Sequence, residues 1–458
     1  MDRYNVISIF GLFLCMLLAW ACSSNHRRLN LRLIAWGLAL QLVMGALIFM
    51  VPVSQHVFLR LNDLVLKILE AAQAGQKFVF GSLADSRAVG FVLFTQAFPI
   101  IIFFSALMGL LYFWRVMPLI ICGFARLFTR LMRVSGAESL CAASNIFVGI
   151  ESVTAIRPYL PRMTRSEYCT ILTAGMATVA SSTMGIYVLF LADTFPTIAG
   201  HLIAASVMSA PAALVMSKLV VPEEAQPVTL GLDVRMEPPE DAGWIDAIVS
   251  GAMAGLKLVG GIVALLVAFL GLLALADLLI GALTGGHHSL TTILGYCFYP
   301  LALAMGIPAP DAPFAANLLG QRLIMTEVPA YQSLALGIKT GQLTDPRTAV
   351  IMAYALCGFA HIASLAIFVG GIVSLAPERR KDIVAVGPRA LLAATLACLM
   401  TGAVAGIYFN NSSACILQTG FAVQSSMSAS VIPAGSPDPG GVAFVRPTPS
   451  EGPGPAGE

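Results

Sequence analysis

Long apolar segments recur along the chain and are separated by short polar connections. A helix needs about 20 predominantly apolar residues to cross a bilayer, because each residue rises about 1.5 Å across a hydrocarbon core of about 30 Å. Eight segments approach or exceed this length: 4–21, 33–51, 88–113, 167–191, 198–219, 248–279, 349–375 and 388–408. Because lipid offers no partners for backbone polar groups, the pattern predicts an all-α polytopic membrane protein.

Two stretches interrupt the apolar pattern with polar and charged residues, at 134–165 and 310–345. The first contains Asn145 and the second contains Glu327. Such side chains are costly at membrane depth and usually serve function, and irregular backbone is tolerated there only where it lines a cavity. Basic residues flank the first stretch on both sides, so we predict two re-entrant hairpins, each entering and leaving from one face.

The two hairpins stand in matching contexts. Each is followed by an apolar helix that small polar residues interrupt, at 178–183 in the first half and 357–364 in the second, and then by another spanning helix. Paired interrupted segments in corresponding positions predict inverted repeats with a substrate site between them. The halves are predicted at 86–220 and 246–409.

The remaining segments complete the predicted organisation. Residues 1–85 form a scaffold with an amphipathic interfacial helix near 56–76, and residues 221–245 form a polar cytoplasmic connection. The basic cluster at 26–32 places the first turn in the cytoplasm. Both termini are therefore predicted on the extracytoplasmic side of the cytoplasmic (inner) membrane. Residues 410–458 are rich in Pro, Gly and Ser, which predicts a disordered extracytoplasmic tail.

Composition supports a membrane protein and narrows its function. Of the 458 residues, 58% are hydrophobic and 11% are charged, against about 25% charged in soluble domains. The net charge of +2 is too small to bear on nucleic acid, and no basic stripe interleaved with aromatic residues appears, so nucleic acid is not predicted as a partner. Motifs of metalloproteases, hydrolases and nucleotide-binding loops are absent from the sequence, so an enzyme is disfavoured and no cofactor is predicted. Two interrupted repeats suit alternating access better than a passive channel.

Several motifs occur in the order typical of concentrative nucleoside transporters, and the resemblance extends from the turn after the first helix to about residue 409. They are Ser135-Gly-Ala-Glu-Ser139, Asn145-Ile-Phe-Val-Gly149, Ile156-Arg-Pro-Tyr-Leu160, 163–164, 204–213, 354–360 and 375–380. The resemblance implies a homotrimer in the lipid bilayer, in which each protomer carries a nucleoside by an elevator-like motion. A sodium or proton gradient would supply the energy.

The resemblance also implies an ion site. In the family, sodium is held by the Asn of the Asn-Ile-Phe-Val-Gly motif, by a Ser of the next helix and by nearby carbonyls. The matching positions are the side chains of Asn145 and Ser182 and the carbonyls of Val148 and Thr183. Oxygen ligands of this kind suit a hard cation.

The sugar of a nucleoside would be bound by the second hairpin and the following interrupted helix. The family uses a Glu, an Asn, a Ser and a lining aromatic, which match Glu327, His361, Ser364 and Phe359. His361 therefore departs from the family residue. We predict that it donates to the sugar hydroxyls or pairs with Glu327 when no substrate is bound.

The residues that would face the nucleobase depart further from the family. Where the family commonly has Gln/Met-Thr/Ser-Glu, this chain has Ile150, Glu151 and Ser152, and the segment is one residue shorter. A symporter of the same fold for a different polar solute therefore stays open beside nucleoside transport. Glu151 has a structural alternative as a partner of Arg157, and Glu138 has one as a cap of the hairpin.

Overall fold

The computed structural model describes residues 2–234, 236, 242–285 and 289–410, which contain eighteen α-helices and three 3₁₀ segments. The helices are α1 (Arg3–Ala21), α2 (Leu31–Met50), α3 (Pro52–Phe80), α4 (Ser86–Val89), α5 (Leu93–Gln96), α6 (Phe98–Phe113), α7 (Val116–Met132), α8 (Gly136–Asn145), α9 (Arg165–Ala177), α10 (Ser181–Leu191), α11 (Ile198–Val220), α12 (Trp244–Thr284), α13 (Leu290–Ala304), α14 (Ala312–Ile324), α15 (Glu327–Lys339), α16 (Pro346–Ala355), α17 (Ile362–Leu375) and α18 (Arg380–Tyr408). The 3₁₀ segments are Gly81–Ala84, Ile150–Arg162 and Pro377–Arg379. The prediction of an all-α polytopic protein is confirmed.

Seven helical segments among the described residues are long and apolar enough to cross a bilayer, against the eight predicted. They are Arg3–Ala21, Leu31–Met50, Leu93–Phe113, Arg165–Leu191, Ile198–Val220, Trp244–Leu283 and Pro377–Tyr408. The eighth predicted segment, 349–375, is divided into α16 and α17, and each part is too short to span alone. The shorter helix α13 is also apolar.

One helix begins later than predicted, and some predicted segments are not described by the structure. The helix predicted to begin at Ala88 begins at Leu93, because Gly90 takes a φ of 75° and separates α4 from the following span. This left-handed conformation suits glycine, which has no Cβ to clash. The predicted tail after Asn410 and part of the predicted connection, residues 235 and 237–241, lie outside the described residues.

The two halves repeat one order of elements. In the first half, α8 and the 3₁₀ segment Ile150–Arg162 form a hairpin, followed by the interrupted pair α9 and α10 and then by α11. In the second half, α14 and α15 form a hairpin, followed by the interrupted pair α16 and α17 and then by α18. Helices α9, α11 and α18 are mostly buried, whereas α12 exposes most of its apolar surface.

The breaks of the two interrupted helices meet at the centre of the molecule. Gly358 lies between α16 and α17 with a φ of 155°. A Cβ placed on it would lie 2.6 Å from the carbonyl oxygen of Ala177, at the end of α9, and 2.7 Å from the Cys398 sulfur. Only glycine permits this approach, which brings both helix breaks to one level of the fold.

Candidate functional site

The first hairpin is fixed at its base by Glu138. Ser135 and Glu138 form a capping box at the start of α8, in which a Glu138 oxygen accepts from the Ser135 N–H at 3.2 Å. The other oxygen lies 2.5 Å from Nζ of Lys218, and both side chains are buried. This geometry favours the structural interpretation of Glu138, since its oxygens already serve a helix start and an ion pair.

The tip of the first hairpin contains an unused oxygen. Asn145 ends α8, and its Nδ2 donates to the Cys141 carbonyl at 3.0 Å, whereas its buried Oδ1 has no hydrogen-bond partner. The buried Oγ of Ser144 is also without a partner. A buried polar atom without a partner costs about 1–3 kcal/mol, so these oxygens fit the ligands of a cation.

The other predicted ion ligands lie around the same tip. The N–H of Ser181 donates to the Phe147 carbonyl at 2.9 Å and joins the hairpin to the first turn of α10, which contains Ser182 and Thr183. Val148 and Ser182 line one cavity beside this junction. The tip therefore brings amide, hydroxyl and backbone oxygens to one region.

Glu327 begins α15 at the tip of the second hairpin, where its side chain is buried. Its Oε1 accepts from the hydroxyl of Tyr187 in α10 at 2.7 Å, and its Oε2 lies 2.9 Å from Nε2 of His361. One carboxylate thus joins the second hairpin to the interrupted helices of both halves. A carboxylate at this depth is stabilised only by such close donors.

His361 caps the N-terminus of α17. Its Nδ1 accepts from the Ser364 N–H at 3.2 Å, and its Nε2 lies 2.9 Å from the Ser364 hydroxyl. Because Nδ1 accepts, a ring proton is assigned to Nε2, whose hydrogen-bond partner is the Ser364 hydroxyl. Oε2 of Glu327 lies at the same distance from Nε2 but receives no aligned hydrogen bond. Glu327, His361 and Ser364 therefore form one polar cluster with an unsatisfied carboxylate oxygen.

A cavity of about 90 Å³ lies between the two hairpins and contains most of the predicted substrate residues. Its lining includes Ile150, Glu151, Ser182, Thr183, Glu327, Phe359, His361 and Ser364. Apolar residues of α12, among them Leu258 and Ile262, close one side. Polar groups set in a mostly apolar wall are typical of small-molecule sites.

Two predicted residues take positions that differ from the rest. Ser152 lines the neighbouring cavity beside the hairpin tip, and its buried Oγ lies 3.6 Å from Cys141 Sγ. Glu151 borders both cavities and is exposed. Among the described residues, no ion pair joins Glu151 to Arg157.

The sequence interpretation missed two residues of this site. Tyr187 donates to Glu327 and stacks on Tyr331 with ring centroids 4.5 Å apart. Thr326 precedes Glu327, lines the cavity and has a buried hydroxyl without a partner. Tyr187 could have been found from the sequence, because a tyrosine in an apolar helix indicates a buried hydroxyl that needs a hydrogen-bond partner.

Family comparisons cover nearly the whole described chain. The family described as "Na+ dependent nucleoside transporter N-terminus" matches residues 10–83, and its C-terminal counterpart matches residues 201–406. Between them, the family described as "Nucleoside recognition" matches residues 94–194. The last match contains the first hairpin and the interrupted pair α9 and α10.

Relatives are found in bacteria and animals. The uncharacterized transporter YutK of Bacillus subtilis is 37% identical over 88% of this chain and its own full length. Human solute carrier family 28 member 3 is 35% identical over 89% of this chain, and sodium/nucleoside cotransporter 1 of Mus musculus is 36% identical over 88%. The chain spans about three fifths of the length of these animal relatives, 60% and 64%.

A solved structure, CNTnw in an inward-facing substrate-bound state, is similar over 89% of this chain and 98% of its own length. The TM-score is 0.82 at 34% identity. With YutK matched over its full length, these similarities establish the family and a transporter rather than an enzyme. The chain belongs to the concentrative nucleoside transporter family and is a multi-pass membrane transporter.

Proposed function

We propose that the chain carries nucleosides across the cytoplasmic membrane by symport with a cation, and that the cation is sodium. The observation that carries this proposal is the single cavity that receives residues from both hairpins and both interrupted helices. Such a site near the centre of a repeated fold is typical of secondary transporters. The names of the relatives, which specify nucleosides and sodium, support the same function.

The tip of the first hairpin is the proposed sodium site. Its ligands would be Oδ1 of Asn145, the hydroxyl of Ser182 and the carbonyls of Val148 and Thr183. The unpaired Oδ1 supports this assignment, since it provides a buried acceptor that nothing in the described chain uses. Sodium at the tip would also hold the hairpin against α10, and this position next to the cavity would link ion binding to substrate binding.

The Glu327–His361 group is the proposed sugar site. Without substrate, Nε2 of His361 lies 2.9 Å from Oε2 of the carboxylate, which has no hydrogen-bond partner within the described residues. A sugar hydroxyl that donates to Oε2 would satisfy this buried acceptor, and Nε2 of His361 would donate to the hydroxyl oxygen. Binding would thus remove the cost of an unpaired buried oxygen. Phe359 supplies an apolar surface for the nucleoside.

Movement and assembly complete the proposal. We propose that the hairpins and interrupted helices move as one elevator-like body against α1, α2, α3, α6 and α12, in a homotrimer of this chain. The broad apolar exposure of α12 supports a position against lipid or another protomer. Both termini are proposed to lie outside the cytoplasm, by the basic residues in the turn between α1 and α2.

Counterflow in proteoliposomes tests the substrate. Vesicles loaded with unlabelled uridine should take up labelled uridine faster in sodium than in potassium, and Glu327→Gln should lose the exchange. Glu378→Gln is a matched control, because Glu378 lies in the polar 3₁₀ segment before α18, away from the cavity. Equal exchange in vesicles without protein would refute nucleoside transport.

A second candidate is symport of another polar solute by the same site. Two observations favour it. Ile150, at a position where the family has a polar residue facing the base, packs against Gly371 of α17. In addition, Nε2 of His361 lies 2.9 Å from the Glu327 carboxylate. Unlabelled nucleosides, free bases, ribose and sugar alcohols are each added as competitors of labelled uridine in the counterflow assay. Competition by nucleosides alone supports the first function, whereas exchange of another solute and not of uridine supports the second.

A further inference from the structure

A larger cavity, of about 850 Å³, lies apart from the substrate site. It is bordered by the turn between α1 and α2, by the junction of α7 and α8, and by the segment that follows α11. None of its lining residues belongs to the proposed ion or sugar site. Its chemistry is different, because arginine side chains dominate its wall.

The floor of this cavity holds one lysine between two carboxylates, so the positive charge of the lysine is fully used and one negative charge is left over. Nζ of Lys218 lies 2.5 Å from the Glu138 carboxylate and 3.1 Å from the Glu223 carboxylate. It also donates to the Ser166 hydroxyl at 2.9 Å. Lys218 therefore has its full set of partners within the protein and is not available to an external anion.

The wall carries more positive charge than the one excess carboxylate of the floor can offset. It contains Arg27, Arg28, Arg32 and Arg133, and within the described ranges no ion pair involves any of the four. Arg32 donates to the carbonyls of Leu131 and Arg130 at 3.2 and 3.4 Å, which positions the side chain and leaves its charge unbalanced. Four guanidinium groups around one concave surface attract an anion.

Two of these arginines are free to bind a ligand. Arg28 donates to the Glu224 carbonyl at 3.2 Å, but the side chains of Arg27 and Arg133 have no hydrogen-bond partner in the described part of the chain. They approach the cavity from different elements, one from the α1–α2 turn and the other from the end of α7. Guanidinium groups bind phosphate oxygens with paired N–H donors, so this arrangement suits a phosphate.

The position of the cavity indicates the source of that phosphate. Helices α1 and α2 are apolar spans that end at Ala21 and begin at Leu31, so their connecting turn lies at the membrane surface. Trp20 is partly exposed at the end of α1, as is typical of the interface. Leu31, which also lines the cavity, is 72% exposed, so the basic surface is continuous with an apolar surface at the start of α2.

We propose that this cavity binds an anionic phospholipid, with its phosphate between Arg27 and Arg133 and its acyl chains along the exposed apolar face of α2. Basic pockets at the ends of spanning helices take lipid headgroups in this way. Because the cavity lies between the α1–α2 turn and the base of the first hairpin, one lipid would contact both.

Native mass spectrometry of the full chain in detergent, titrated with phosphatidylglycerol or with phosphatidylcholine, tests the proposal. We expect one phosphatidylglycerol per chain to be retained at least tenfold more tightly than phosphatidylcholine. Arg27→Gln with Arg133→Gln should remove this preference. The substitutions break no hydrogen bond within the described residues, and elution as a single species would confirm that the variant folds.

Arg60→Gln with Arg162→Gln is the matched control, because both residues are exposed and neither lines the cavity. This variant loses the same charge and should retain phosphatidylglycerol like the native protein. Equal retention of both lipids by the native protein, or equal loss in the control variant, would overturn the proposal. Displacement of the lipid by inorganic phosphate at millimolar concentration would overturn the lipid as the source and identify a soluble anion instead.

Discussion

At the scale of single residues, the sequence supports the choice of Glu327 and His361 but does not determine how they meet. Each side chain is polar in an apolar chain, which marks it for function. The 2.9 Å distance between Oε2 of Glu327 and Nε2 of His361 requires the second hairpin to reach the break before α17. That approach is a property of the folded chain. Tyr187 was missed because its partner lies 140 positions away in the chain.

The carboxylate should be essential to substrate binding. Glu327→Gln replaces a charged acceptor by a neutral amide and loses charge-assisted hydrogen bonds of about 1.5–3 kcal/mol. We expect uridine affinity to fall tenfold or more, measured by titration calorimetry of the purified protein. Tyr187→Phe removes only one donor to the same carboxylate and should have a smaller effect. Native affinity in Glu327→Gln would show that the carboxylate is structural.

The sodium assignment makes a separate prediction at Asn145. Asn145→Ala removes a ligand oxygen, so the sodium concentration that gives half-maximal uptake should rise at least tenfold. Ser209→Ala is a suitable control, because Ser209 is fully buried in α11 and its hydroxyl also has no partner. An unchanged sodium dependence in Asn145→Ala would exclude this site and make a proton the leading coupling ion.

His361 should contribute a donor to substrate binding. Its Nε2 lies 2.9 Å from Oε2 of Glu327, where a sugar hydroxyl is proposed to bind. His361→Asn, which restores the family residue and keeps an N–H donor, should retain uridine binding, whereas His361→Ala should weaken it, measured by titration calorimetry. Equal uridine affinity in both variants would exclude a substrate contact at this position.

At the scale of elements, the sequence predicts the polar hairpins and the interrupted helices better than their boundaries. Small polar residues at 178–183 and 357–364 indicate the interruptions, because such residues are uncommon in a continuous helix that faces lipid. The position of each break depends on packing between halves. Gly358 takes a φ of 155° against Ala177, and nothing in the neighbouring sequence specifies that contact.

This contact predicts different effects for two glycines. Gly358→Ala places a Cβ 2.6 Å from backbone and requires an unfavourable φ, so we expect a loss of about 2 kcal/mol or more of stability. Gly370→Ala in α17 has no atom within 4 Å and should be neutral or slightly stabilising. Thermal unfolding of the purified variants measures the difference. Equal midpoints would refute the contact between the breaks.

At the scale of the whole molecule, the lengths of the apolar segments predict a polytopic membrane protein, and the order of elements repeats as the sequence suggests. The path of the hairpins through the bilayer stays a prediction, since length and polarity alone do not fix it. If the first hairpin enters and leaves from one face, Arg133→Cys and Arg162→Cys should react with a membrane-impermeant maleimide from the same side. Labelling from opposite sides would contradict the re-entrant path and the repeat derived from it.

The central claim is that a sodium gradient drives nucleoside uptake through this chain. The most direct test is the steady-state accumulation of labelled uridine in proteoliposomes with an inward sodium gradient, compared with an equal inward potassium gradient at matched pH. We predict an internal uridine concentration above the external one with sodium, and simple equilibration or no uptake with potassium. Accumulation that is equal with both ions, or absent with both, would contradict the claim.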